Sequence, residues 1–93
     1  MKDFNLLIID DEQSQRDLLS GYLKKKGFNV YTADSGNEGI NIVNKNRIDI
    51  IFSDYKMPEM TGLEVLETVL KINPEISFVI ITVVALPPGT FFL

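Results

Sequence analysis

Ile48-Asp49-Ile50-Ile51-Phe52-Ser53-Asp54 is a short apolar run that ends in an acid, and Phe4-Asn5-Leu6-Leu7-Ile8-Ile9-Asp10-Asp11-Glu12 repeats the pattern with three acids in a row. Continuous apolar runs of this length suit strands buried on both faces of a parallel sheet. If both runs belong to one α/β sheet, the acids collect beyond the carboxyl ends of the strands, where open α/β sheets place their ligands. Two carboxylates about 5 Å apart repel by roughly 3 kcal/mol at an effective dielectric near 20. A third acid adds to that. Such a cluster is tolerable if one acid stays protonated or if a hard cation neutralises it, and Mg²⁺ suits sparse carboxylates joined by phosphate oxygens. The pattern points to metal-assisted phosphoryl chemistry on an aspartate.

Acids at strand-to-helix junctions often serve only as N-caps. Capping needs one acid per helix, however, and not three converging on one point. Asp11 or Glu12 is available to cap the first helix. Asp54 has no helix directly after it, because Met57-Pro58 intervenes and a residue before proline is pushed out of the helical region.

Outward from these runs the elements alternate. Glu12 to Lys26 carries Leu18, Leu19, Tyr22 and Leu23 at helical spacing, and Gly27 supplies the stop. Phe28-Asn29-Val30-Tyr31-Thr32-Ala33 alternates apolar and polar, as a half-exposed edge strand does. Ser35-Gly36-Asn37-Glu38 has capping-box form and opens a helix reaching about Asn46, with Ile40, Ile42 and Val43 as its apolar positions. Thr61-Gly62-Leu63-Glu64 is a second such box, followed by a stripe of Leu63, Leu66, Val69 and Leu70, and Asn73-Pro74 closes that helix. Ser77 to about Val84 is β-branched and reads as a fourth strand. The order β-α-β-α-β-α-β implies a parallel sheet with right-handed crossovers.

Composition removes several functions. The 93 residues form a single small domain, and 45% hydrophobic with 24% charged residues is ordinary for a globular fold. A net charge of −4 leaves no electrostatic footprint for nucleic acid. The single basic run, Lys24-Lys25-Lys26, falls in the last turn of a helix, where cations complement the dipole. No Cys and no His are present, which excludes disulfides, thiolate nucleophiles and Ser-His-Asp machinery. The first apolar run is short and ends in acids, unlike a signal peptide, and the longest apolar stretch, Ile76 to Leu86, falls far short of a membrane span of roughly 20 residues. A soluble, cytoplasmic protein is expected.

Three segments carry a family resemblance: Leu7-Ile8-Ile9-Asp10-Asp11-Glu12, Asp54-Tyr55-Lys56-Met57-Pro58-Glu59-Met60-Thr61-Gly62, and Val79-Ile80-Ile81-Thr82. In this order and spacing the chain resembles the receiver domain of two-component response regulators over residues 1–82. Gln13 to Leu23 is most similar to receivers of the NtrC type, which act with sigma-54 polymerase. The resemblance implies a three-layer α/β, flavodoxin-like parallel sheet of order 2-1-3-4. It also implies that Asp54 accepts a phosphoryl group from a histidine kinase and belongs to the Mg²⁺ site, that Asp11 binds Mg²⁺ directly with Asp10 at or just outside the first shell, and that the Lys56 backbone carbonyl is a further ligand. Thr82 becomes the switch residue that contacts the phosphoryl group, Met57 and Pro58 shape the loop, and Gly62 permits a tight start to the third helix. Transcription would then be regulated through an output domain that this chain does not include.

The chain also departs from the family. Receivers continue with a fourth helix, a fifth strand and a fifth helix, and the fifth strand carries a Lys that pairs with the phosphoryl group. Here no Lys or Arg follows Lys71, and Val83 stands where a small residue is usual. Residues 83–93 are uncharged, hold Pro87-Pro88-Gly89, and read as an atypical apolar tail on a receiver cut short after the fourth strand. Pro88-Gly89 suits a type II turn. Such a chain would expose a strand edge and is expected to form a homodimer or larger assembly. A degenerate receiver that binds metal or partner without phosphorelay is the alternative. An Asp-nucleophile phosphatase or mutase is not supported, because its Asp-x-Asp motif is missing, so no enzyme is expected.

Overall fold

The computed structural model describes residues 4–81 and Gly89. Strands β1 (Asn5–Ile9), β2 (Asn29–Ala33), β3 (Ile50–Asp54) and β4 (Ser77–Ile81) alternate with helices α1 (Gln13–Lys25), α2 (Gly36–Lys45) and α3 (Gly62–Ile72). The strands make one sheet in the order β2-β1-β3-β4, and each pairing is parallel. From β1 the chain moves outward to β2, then passes back across β1 to β3 and on to β4. With right-handed crossovers, that reversal puts α1 on one face and α2 and α3 on the other. The result is the three-layer flavodoxin-like arrangement expected, with the direction of winding changing between β1 and β3.

The apolar run of β1 accounts for its central place. Leu6, Leu7, Ile8 and Ile9 are all buried, so both faces of the strand are covered. The main core lies on the α2–α3 side, where Leu7, Ile9 and Ile51 meet Val43, Val65 and Val69. On α3 the buried stripe runs through Val65 and Val69, whereas Leu63 and Leu70, assigned to it from the sequence, are exposed. The reason is geometric. At 3.6 residues per turn, Leu63 and Leu70 lie well round the helix from Val65.

The opposite face is thinly covered. Only Ser20 of α1 is buried, Leu19 and Leu23 are half-buried, and Leu18 is 78% exposed. Tyr22 on α1 and Val79 and Ile81 on β4 are exposed as well. Among the described residues β4 pairs with β3 alone. The expected continuation of β4 to Val84 and the tail 83–93 lie outside the described residues, save Gly89, whose φ of 85° is compatible with the third position of a type II turn.

Helix ends follow local chemistry. At the end of α1, the Gly27 amide donates to the Lys24 carbonyl and the Phe28 amide to the Leu23 carbonyl, a Schellman closure that uses the positive φ of Gly27. Thr61 and Glu64 complete a reciprocal capping box on α3. Two expectations need correction. Glu12 occupies the N-cap of α1 without a side-chain cap bond, and Ser35 receives the Glu38 amide while the Glu38 carboxyl turns to Asp34 instead of closing the box.

Candidate functional site

Register brings the acids together. Ile9 pairs with Ser53, so Asp10 leaves β1 beside Asp54, the last residue of β3. One carboxylate oxygen from each of Asp10, Asp11 and Asp54 lies within 4.8 Å of the others. Asp10 and Asp54 are half-buried and Asp11 is exposed. Glu12, grouped with them from the sequence, points its carboxylate to the Ser14 hydroxyl, which donates to it at 3.2 Å. Asp49 belongs to the far end of the sheet, where its carboxylate accepts the Asn5 amide at 2.7 Å.

Burial raises the Asp54 carboxyl above the ordinary carboxylate range, and the Asp10 charge pushes it further. The Lys56 amide acts in the opposite sense, Asp11 raises again, and the Tyr55 amide lowers. Net, the three carboxylates repel one another. They are hard oxygen donors, few in number and open to solvent at Asp11, so they fit a divalent cation that keeps part of its hydration.

Backbone bonds hold the acids in place. The Asp10 amide donates to the Ala33 carbonyl at 3.1 Å, extending the β1–β2 ladder, and Asp10 Oδ1 accepts the Glu12 amide at 2.9 Å. Under Asp54, the fully buried Ser53 donates its hydroxyl to the Asp54 carbonyl at 3.0 Å. The Gly62 amide donates to the Tyr55 carbonyl at 2.8 Å and the Tyr55 amide to the Ile81 carbonyl at 3.0 Å, so the residue after Asp54 is tied to both α3 and β4. Thr82, next after Ile81, lies outside the described residues. Lys56 sits exposed in the loop. Met57, Pro58 and Met60 from the same loop line a cavity of about 130 Å³ that Asp11 borders, and Met57 and Met60 pack on the core.

The sequence pattern alone does not single out Arg16 or Ser53. Arg16 donates from Nη1 to the Asp10 carbonyl at 2.7 Å. An arginine early in a helix that follows two acids was the available signal. For Ser53 it was the lone hydroxyl in an otherwise apolar strand.

Residues 6–88 match the family model of the response regulator receiver domain. The chain belongs to that family. Receiver domains are signalling modules of two-component systems, and similar proteins agree in fold. Transcriptional regulatory protein GlrR of Escherichia coli is 35% identical over 81 residues, which are 87% of this chain and 18% of the relative. Chemotaxis protein CheY4 of Vibrio cholerae superposes with a TM-score of 0.85 at 32% identity, covering 90% of this chain and 72% of that one. Response regulator TrrA of Thermotoga maritima, solved in complex with Mg²⁺ and BeF, gives a TM-score of 0.81 at 29% identity, covering 85% of this chain and 69% of that one. The chain thus spans about a fifth of the length of the regulator it matches, and about seven-tenths of the solved receivers. No helix among the described residues is long and apolar enough to cross a membrane.

Proposed function

We propose that this chain is a phosphorelay receiver that takes a phosphoryl group from a sensor histidine kinase onto Asp54 with Mg²⁺. The observation that carries the reading is the meeting of three carboxylates, Asp10, Asp11 and Asp54, at the carboxyl ends of β1 and β3. In this reading an Asp54 oxygen attacks the phosphorus of the kinase's phosphohistidine, the P–N bond breaks, and the imidazole leaves with its electron pair. Such transfer has a loose transition state, so positioning and charge neutralisation do most of the work. Mg²⁺, when bound, neutralises charge on the transferring group. Asp11, Asp54 and the Lys56 carbonyl would hold the ion with Asp10 in support, and Thr82 would contact the phosphoryl oxygen as the switch. The receiver proper is taken as residues 1–82, and 83–93 as a stretch of different sequence character into which the family match runs as far as residue 88. It acts in the cytoplasm as a signalling module, not as an enzyme on small substrates, and feeds a transcriptional output of the NtrC type. Incubation with acetyl phosphate and Mg²⁺ tests the reading, with uptake of one phosphoryl group expected.

One observation favours a second reading. No Lys or Arg follows Lys71 in the 93 residues, so these residues alone offer no cation of the kind usual beside a receiver phosphate. A module that binds Mg²⁺ or a partner without accepting phosphate would show metal binding and no uptake. The two readings share the cation. Asp11→Asn is expected to weaken Mg²⁺ about tenfold or more, the scale of one charged contact worth about 1.5–3 kcal/mol. Calorimetry that finds equal affinity in the variant removes Asp11 from the site.

We also propose self-association. Leu18, Tyr22, Val79 and Ile81 leave apolar surface on the α1 side of the sheet, and contiguous surface of this kind favours contact with another chain. Sedimentation at micromolar concentration is expected to give a dimer or larger species, and Leu18→Glu to shift it toward monomer. A parent chain that sediments as a monomer overturns this proposal.

A further inference from the structure

We propose that Arg16 is a positioning residue for the cation site: its guanidinium clamps the Asp10–Asp11 peptide and so aims the Asp11 carboxylate. The inference rests on the reading of this edge as a Mg²⁺ site. The peptide joining Asp10 to Asp11 turns the chain from the end of β1 toward α1. Its carbonyl oxygen, on the half-buried Asp10, needs a donor once the strand ladder has ended. The backbone of α1 begins its own bonding later, with the Arg16 amide on the Glu12 carbonyl at 3.0 Å. The donor is instead the Arg16 side chain, which reaches back six residues and gives Nη1 to the Asp10 carbonyl at 2.7 Å.

With the Asp10 amide on Ala33 and Asp10 Oδ1 on the Glu12 amide, this third bond fixes both flanks of the peptide whose next residue is Asp11. Asp11 itself is exposed, and no hydrogen bond of its side chain is seen among the described residues. Its direction therefore depends on the backbone that carries it.

The guanidinium charge is also felt beyond its own loop. It acts on Glu38 at the start of α2, lowering a carboxyl that hydrogen-bonded Asp34 raises. A planar fork with several donors holds a carbonyl at a fixed angle, which a single ammonium does less well.

The sign of one measurement separates this role from a bare charge effect. A cation near a Mg²⁺ site opposes the metal, so deleting its charge alone would tighten binding. Loss of a clamp would weaken it. In the full 93-residue chain, Arg16→Met is expected to lower Mg²⁺ affinity about fivefold to tenfold while the metal-free melting temperature stays close to the parent's, and Arg16→Lys to fall between. Equal or tighter Mg²⁺ binding by Arg16→Met overturns the proposal. In the parent, slow rotation of the Arg16 guanidinium by nitrogen-edited NMR is expected of a held group. Free rotation overturns the clamp even if the Met variant does not fold. A parent chain that binds no Mg²⁺ sinks the cation reading itself, an outcome distinct from a parent that binds while Arg16→Met binds as well.

Discussion

Asp54→Asn is expected to take up no phosphoryl group from acetyl phosphate and Mg²⁺, under conditions in which the parent chain is expected to take up one. The amide cannot act as the attacking oxyanion, and no His or Cys is present to substitute for it. Mass spectrometry of the intact protein and of its peptides reads the result. Label persisting in the variant places the phosphoacceptor elsewhere. The parent itself is expected to label slowly, by on the order of tenfold to a hundredfold relative to a receiver with a phosphate-pairing Lys, because one charge-assisted contact worth about 1.5–3 kcal/mol is absent.

The same substitution has a second consequence, opposite in direction. Burial first and the Asp10 charge second raise the folded Asp54 carboxyl above its ordinary value of 3.8. A carboxyl raised on folding binds its proton more tightly in the native state, so the fold loses stability as pH rises through the window from 3.8 to the raised value. Metal-free Asp54→Asn should therefore be more stable than the parent at neutral pH. The gap should close as pH falls and vanish below 3.8, where both states of the parent are protonated. Denaturant melts at neutral and acidic pH measure it, and a variant less stable than the parent at pH 7 contradicts the account. Added Mg²⁺ should raise the parent more than the variant, since it binds the native acidic cluster.

The parts of the fold that were legible in the sequence are those with one unambiguous pattern. Phe4 to Ile9 had the pattern expected of a central strand covered on both sides, and the acids following two such runs share an edge once the sheet is parallel. Where two patterns overlapped, spacing alone did not decide. On α3, Leu63, Leu66, Val69 and Leu70 made as good a stripe as Val65 and Val69, and only the packing of α3 on the sheet selects the second. On α1 the four apolar residues suggested a buried stripe, yet Leu18 and Tyr22 face solvent in this chain.

At the site the limit was different. Asp10, Asp11 and Asp54 announced themselves because like charges in one place demand an explanation. Arg16 and Ser53 act on main-chain carbonyls, and a backbone acceptor has no residue type to match. Glu38 shows a third kind of miss. The Ser-x-x-Glu spacing allows a capping box, but Asp34 just outside the helix competes for the Glu38 carboxyl, and that competition depends on geometry.

Gly62→Ala is the second large expected effect, and it couples fold to site. From the sequence, this glycine serves a tight start for the third helix. The structure gives a sharper reason, since Gly62 has no positive φ and its value lies in what it lets approach. A methyl group there would stand 2.6 Å from the Asp54 carbonyl oxygen, 3.2 Å from the Tyr55 Cα and 3.3 Å from the Ser53 hydroxyl. Two of those neighbours are backbone, which cannot swing aside. The first turn of α3 would have to withdraw from the end of β3, stretching the Gly62–Tyr55 bond and freeing the carbonyl that Ser53 holds. Overpacking of this kind costs about 1–3 kcal/mol. Because the strained peptide is that of Asp54 itself, labelling should fall along with stability. Gly21→Ala is the matched control: Gly21 lies within α1, and a methyl group added there would meet nothing within 4 Å, so the change should stabilise by up to about 1 kcal/mol through helix propensity. Urea melts of the two variants, each paired with acetyl phosphate labelling, decide the matter. If Gly62→Ala melts and labels like Gly21→Ala, the close approach of α3 to the phosphoacceptor strand is not what holds Asp54 in place.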